Sequence, residues 1–274
     1  MQSCNILEIT AAIQTIRRNC PEARSNYYYQ LSGQKELRFD TLRAARTIAF
    51  GYQDDLVYRV FFCTADAGEL ERLLCCFPDG AVMDVVTKEE KEQEWQPFFA
   101  QLPAAGFFRH ALFYRYHIRD LKQRIYTGIP EDLRDVDSAR YGRFAEEGQA
   151  EEIVTLLRET FDARESHLKD LRQISGMIEK GWIRVVSEEG RIVALLSAIP
   201  QGRRLYIEQV LNRGKREYIH CLYLYALEEA VRSGISYAYT WVKDGNEKGE
   251  GIAVRYGHEK DGTADSIFVK GKRT

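Results

Sequence analysis

A pyrophosphate is held by cationic charge together with several backbone N–H donors aimed at one point, and residues 212–217 offer both. Asn212-Arg213-Gly214-Lys215-Arg216 is a basic, glycine-containing turn, and the apolar-faced run from Glu217 to Val231 that follows it reads as a helix. The first N–H groups of a helix have no acceptor inside it, so a flexible cationic turn ahead of them is a seat for an anion. Just upstream, Glu208 is an acid in an otherwise apolar strand, Leu205 to Leu211. A strand alternates its side chains, which puts Tyr206, Glu208 and Val210 on one face. Such a carboxylate can accept a proton from an amine. Tyr239 and Tyr256 are the nearest hydroxyls downstream, and Asn246 stands ten residues before Tyr256-Gly257-His258.

The elements that must position these groups follow from periodicity. Residues 148–161 and 167–180 carry apolar side chains at helical spacing. Trp182 to Ser187 and Arg191 to Ala198 read as strands joined through Glu188-Glu189-Gly190, a hairpin turn with glycine where a positive φ is wanted. The strand Leu205 to Leu211, the helix 217–231 stopped by Gly234, a strand from Ile235 to Val242, a short helix from Gly245 to Tyr256 and a strand from Ser266 to Val269 complete the series. An initial strand is expected at Ala139 to Phe144.

This order of strand, basic glycine turn, helix, strand and asparagine resembles the acyl-CoA-binding half of the GNAT fold, the N-acetyltransferase superfamily. The turn aligns on the family pattern Arg/Gln-x-x-Gly-x-Gly/Ala at Arg213 to Tyr218, where only the leading arginine matches. Arg216 and Tyr218 occupy places held by small residues, so the Tyr218 ring must either point away or narrow the site. The segment from Asn246 to Gly257 keeps the spacing of the family's closing pattern without a gap. Ala253, however, stands where the family commonly has a tyrosine that protonates the departing thiolate.

The resemblance implies an α+β fold and a donor, acetyl-CoA or another acyl-CoA, lying between two splayed parallel strands, here Leu205 to Leu211 and Ile235 to Val242. Val210, Leu211, Asn212, Arg213, Gly214, Lys215, Arg216 and Asn246 would bind it, with Asn246 capping the helix or bonding the pantetheine. Glu208 would serve as general base and Tyr256 or Tyr239 as general acid. The partners implied are a CoA thioester and a small-molecule or peptide amine, with no metal.

The first half echoes the same series: strand 56–64, helix 67–76, strand 81–87, helix 90–102 and the aromatic strand Phe107 to Ile118. A tandem of two related domains is expected, residues 1–133 and 134–274, with each mostly antiparallel mixed sheet flanked by helices. In the first half an acidic stretch, Ala65-Asp66-Ala67-Gly68, replaces the basic turn and repels phosphate, so this half is expected to be structural or substrate-shaping. Two other readings fit the same layout: an aminoacyl-tRNA-dependent transferase of tandem GNAT-like architecture, and a non-catalytic ligand-binding or interaction protein.

Composition bounds these readings. In 274 residues, 39 Lys and Arg face 41 Asp and Glu, a balance that argues against a nucleic-acid backbone or anionic membrane as main partner. The six cysteines form no CxxC pair and read as small buried hydrophobes in a reducing cytosol. The N-terminal residues lack the apolar core of a signal peptide, and no apolar run reaches membrane-span length, so a cytoplasmic protein is expected.

Overall fold

The computed structural model describes residues 1–28, 31, 36–127 and 141–271. The chain divides into two units. One comprises residues 1–112, 163–165 and 262–274, the other residues 113–162 and 166–261. The boundary expected near residue 134 lies outside the described residues, as do the first two residues of the strand expected at Ala139 to Phe144; of its described residues, Arg143–Phe144 form a strand.

In the first unit the strands Gln2–Asn5, Arg38–Arg43, Thr47–Gln53 and Tyr58–Thr64 pair antiparallel in that order. Tyr58–Thr64 runs parallel to Val82–Lys88, which pairs antiparallel with Thr263–Val269 of the C-terminal strand. The last strand of the chain thus completes the first unit's sheet, a swap that local pattern does not reveal. Helix Ile6–Asn19 buries Ile6, Ile9 and Ile13, and its Asn5 and Glu8 form a reciprocal capping box. This N-terminal helix and the hairpin 38–53 were not read from the sequence. Helix Ala67–Leu74 is capped by Asp66, whose side chain accepts from the Glu69 N–H. The buried Lys270 ammonium donates to the carbonyls of Leu74, Cys75 and Phe77 at 3.0, 2.7 and 2.6 Å and so satisfies the end of that helix.

The second unit pairs Phe113–Ile118 with Tyr237–Lys243, then Arg204–Asn212, Arg191–Gln201, Ile183–Glu188 and Arg143–Phe144. Among the described residues of this unit, only the contact of Arg204–Asn212 with Tyr237–Lys243 is parallel. The turn before Arg191 has both Glu189 and Gly190 at positive φ, 49° and 76°. That is the two-residue geometry whose twist matches paired strands. The long helix Arg216–Arg232 lays Tyr218, Ile219, Leu222, Tyr223 and Leu227 on Leu205, Ile207 and Ala238 of the sheet, forming this unit's core. Helices Ala150–Thr160 and Leu171–Glu179 lie in the chain between strands Arg143–Phe144 and Ile183–Glu188, and Glu247–Arg255 follows Tyr237–Lys243.

The cysteines are all free. Cys4, Cys63 and Cys221 are buried as expected, whereas Cys75 and Cys76 are exposed, because helix 67–74 ends before them. Among the described residues no helix is long and apolar enough to cross a membrane.

Candidate functional site: a bulged strand and a parting parallel pair

The strand carrying Glu208 is irregular at that residue. Ser197 faces Gln209 and the next pair is Ala198 with Ile207, so Glu208 is an extra residue opposite none. This is a β-bulge, which bends a strand and interrupts its ladder. The Gln209 N–H, displaced from a regular partner, donates to the Ser197 hydroxyl oxygen at 3.0 Å, and that hydroxyl donates to the Gln209 side-chain oxygen at 3.1 Å. Both residues are buried, so the irregularity is hydrogen-bonded rather than left open.

On its other side, the same strand loses its parallel neighbour at the bulge. The register with Tyr237–Lys243 runs from Arg204↔Tyr237 to Ile207↔Thr240 and ends there, while pairing with Arg191–Gln201 continues to Asn212. From Glu208 to Leu211 this edge of the strand therefore has no ladder partner among the described residues. Val210 and Leu211 lie on this edge.

At the far end of that edge is the basic turn. Asn212 bridges it, its Oδ1 accepting from the Gly214 N–H at 3.1 Å and its Nδ2 donating to the Lys215 carbonyl at 3.0 Å. Arg213 donates to Thr160 Oγ1 at 3.0 Å and lies 3.4 Å from the Glu159 carboxylate, which ties the turn to helix Ala150–Thr160. Lys215 is the helix N-cap and contributes no side-chain cap. Among the described residues the N–H groups of Lys215, Arg216 and Glu217 meet no acceptor, and all three residues are exposed. Four orphan donors are the rule at a helix start, and here three of them belong to exposed residues in a segment with three cationic side chains, while the Tyr218 N–H donates to the Lys215 carbonyl at 3.1 Å.

Tyr218 does not narrow this site. Its ring packs inward, edge-on to Tyr141 at 5.0 Å, and its hydroxyl donates to Glu188, a bond that pushes its pKa up to about 12. A Cβ on Gly214 would meet that ring at 2.8 Å. The glycine is thus required by the tyrosine beneath it, a different reason from the close approach of a phosphate.

The structure puts Glu208 on the half-exposed face with Tyr206 and Val210, as alternation predicts. Its side chain is 10% exposed, and one oxygen accepts from the Lys169 ammonium at 2.9 Å. The other, Oε2, is buried and has no hydrogen-bond partner. Tyr239 sits on the same face, in register with Tyr206 and stacked on it at 4.9 Å. Its hydroxyl donates to Gln201 Oε1 at 2.9 Å, and burial raises its pKa against the opposing influence of Arg115 and Arg204.

The remaining expectations fall elsewhere. Tyr256 is buried in the helix-side core, stacked on Tyr223 at 4.4 Å, with its hydroxyl donating to the His220 carbonyl and 2.9 Å from His220 Nδ1. It packs with Leu205 and Ile207, whose side chains leave the strand on the face opposite Glu208, so the structure does not bring Tyr256 to that carboxylate. Asn246 caps its helix, its Oδ1 accepting from the Gly249 N–H at 3.0 Å. Ala253 is buried against Tyr116 and Val242. Lys169 is the neighbour of Glu208 that sequence reasoning missed: it lies 39 residues away, and only folding makes them a pair.

The corresponding gap in the first unit is filled by the chain itself. Its parallel register has a single pair, Arg59↔Val82. Beyond it, Arg24–Ser25 pairs with Thr64 and Cys63, and Asn26 donates to the carbonyls of Val60 at 3.1 Å and Asp84 at 3.0 Å. The Phe62 N–H donates to Asn26 Oδ1 at 2.7 Å, and the Tyr28 hydroxyl to the Val86 carbonyl at 3.0 Å. Residues 24–28 take the place that an extra strand would occupy.

Solved structures share this architecture. An acetyltransferase of the GNAT family from Colwellia psychrerythraea superposes with a TM-score of 0.53 at 12% identity, over 99% of this chain and 100% of that one. A tandem GNAT protein from the clavulanic acid biosynthesis pathway gives 0.53 at 13% identity, over 91% and 83%. The chain has a tandem GNAT fold. A GCN5-related N-acetyltransferase from Sphaerobacter thermophilus gives 0.54 at 11% identity over 81% of this chain and 75% of that one. No protein-family profile and no curated protein match the sequence. The GNAT fold here is an α+β arrangement in which the strands of each unit pair in a mixed, mostly antiparallel way and are flanked by helices, as the resemblance implied.

Proposed function

We propose that the second unit is an N-acyltransferase that takes an acyl group from a CoA thioester, acetyl-CoA or a longer acyl-CoA, and gives it to an amine. The observation that carries this reading is the bulge at Glu208. One irregularity ends the parallel pairing, exposes the backbone edge from Glu208 to Leu211, and leaves a buried carboxylate oxygen without a partner beside the gap.

In this reading the acyl-pantetheine lies along the Glu208–Leu211 edge as an added strand. Its pyrophosphate meets the free N–H groups of Lys215, Arg216 and Glu217, with Arg213 and Arg216 supplying charge. The acceptor amine donates a hydrogen bond to Glu208 Oε2, held in place by the Lys169 ion pair on Oε1. The amine nitrogen attacks the thioester carbonyl, the C–N bond forms and the C–S bond breaks. The amine proton passes to Glu208, and the departing thiolate takes a proton from Tyr239 or from water. Burial keeps Tyr239 protonated at neutral pH, as an acid must be. Positioning and desolvation supply most of the acceleration, so the alanine at 253 lowers the rate without abolishing it. The first unit, its own gap filled by residues 24–28, is structural or shapes the acceptor side.

The test is thermal unfolding with saturating acetyl-CoA, CoA and a longer acyl-CoA. A ligand bound only to the folded state at about a hundred times its Kd stabilises by roughly 2.7 kcal/mol. The expected rise in Tm is lost in Arg213→Ala and Arg216→Ala. No rise with any thioester refutes the donor site and favours a non-catalytic or tRNA-dependent role.

A further inference from the structure

The opposite end of the parallel pair carries a second charged site. Arg115, Arg203, Arg204, Ser236 and Tyr237 line a cavity of about 390 Å³. Arg203 and Arg204 follow the tight turn at Gly202, where φ is 63°, and the Ser236 N–H donates to the Arg203 carbonyl at 3.2 Å, which fixes the turn over the start of the next strand. The Arg204 guanidinium lies 6.0 Å from the Tyr237 ring centre. Arg119 adds its charge at Tyr237 as well.

The acidic group at this cavity is already matched. Asp261 Oδ2 takes two bonds from Arg115, at 2.7 and 2.6 Å, and lies 3.2 Å from His117 Nδ1. No carboxylate pairs with Arg203 or Arg204 among the described residues. The site therefore holds a surplus of fork-shaped donors beside the Tyr237 ring, and the Arg115 guanidinium also lies 5.9 Å from the ring centres of both Tyr239 and Trp241. Arginine forks of this kind match the planar, bidentate geometry of carboxylate and phosphate.

Arg204, Tyr206 and Glu208 alternate along one strand, so the arginines and the free Glu208 oxygen are two ends of one track. At about 3.3 Å per residue the backbone separation from Arg204 to Glu208 is on the order of 13 Å, and the long arginine side chain shortens the span it must bridge. We propose that this pocket binds an anionic group, carboxylate or phosphate, on the acceptor, so that the substrate is an amine carrying an acidic group several bonds away. The inference rests on the acyl-transfer reading for the role of Glu208, but not for the anion pocket itself.

The experiment is calorimetric titration of the whole protein, without any thioester, using 6-aminohexanoate, 5-aminopentyl phosphate and neutral 6-aminohexanamide. Either or both anions are expected to bind at least about tenfold more tightly than the amide, equivalent to about 1.4 kcal/mol. Which anion wins distinguishes a carboxylate acceptor from a phosphorylated one. The advantage disappears in the Arg203→Ala/Arg204→Ala variant and returns in part in Arg203→Lys/Arg204→Lys, which keeps charge but not the fork. Equal binding of amide and anions, or a preference that survives the alanine variant, overturns the proposal. Because no donor is present, a failure of acyl-CoA to stabilise the protein leaves this result readable by itself.

Discussion

Asn26→Ala tests whether the chain's own segment closes the first unit's gap. Asn26 is 4% exposed and makes three hydrogen bonds that span the parted strands: to Val60 O and Asp84 O as donor, and from the Phe62 N–H as acceptor. Alanine removes all three partners at once. A net loss of about 1 kcal/mol per bond sets a lower figure of roughly 3 kcal/mol, and the Phe62 N–H left without an acceptor adds about 1–2 kcal/mol. The expected cost is therefore about 4 kcal/mol in the first unit. A two-unit chain need not unfold in one step, so amide hydrogen exchange read at Phe62 and Val60 is the suitable assay. Protection there should fall by roughly three orders of magnitude, with the amides of Arg191–Gln201 unaffected. Asn26→Asp, which keeps the acceptor for Phe62 but sets a buried carboxylate oxygen against the Val60 and Asp84 carbonyls, should cost at least as much as alanine. A loss below about 1 kcal/mol would refute the idea that Asn26 holds the strands together.

Glu208→Gln keeps the shape of the side chain but removes the carboxylate proposed as the base, and the expected outcome in a steady-state assay is a fall in kcat of about 10²–10⁴ with the acyl-CoA-dependent rise in Tm intact. An unchanged kcat would remove Glu208 from the chemistry. His258 is buried, with its pKa lowered to about 3 by desolvation. Its folded pKa lies below its unfolded value near 6.5, so the unfolded state binds the extra proton and stability falls as pH drops below about 6.5 towards 3, by up to about 1.4 kcal/mol per pH unit. Urea midpoints at pH 7.5 and 5.5 should differ in the parent and differ less in His258→Gln. Gly214→Ala places a methyl group 2.8 Å from the Tyr218 ring and 3.3 Å from Val193, and overpacking of this kind costs about 1–3 kcal/mol. Combining it with Tyr218→Leu should recover part of that loss in chemical denaturation; equal losses in the single and double variants would contradict the contact.

The sequence by itself determined most local elements of both halves and the order in which they follow. Alternation along 204–212 put Glu208 on the face it occupies, and the helical period of 216–232 marked the surface that packs on Leu205 and Ile207, because both depend on backbone repeats only a few residues long. Gly190, at φ 76°, was legible because few other residues tolerate that backbone. The N-terminal helix, despite its capping box, and the hairpin 38–53 were within reach of the same rules and were not read.

Tertiary structure decided what long-range pairing alone can decide. The C-terminal strand completes the first unit's sheet, Tyr256 turns into a core with His220, and Lys169 reaches Glu208 across 39 positions. The bulge at Glu208 is a mismatch of register between two strands, and neither strand's residues encode it separately; Ser197 and Gln209 reveal it only once they face each other. The arginine cavity has the same origin, since Arg115 lies on one strand and the adjacent Arg203 and Arg204 open another, and they share a site only when Tyr237 is set in register with Arg204. Local periodicity specifies which face a residue takes, whereas the chemistry of this site depends on which faces meet, and that is set by packing and register across the sheet.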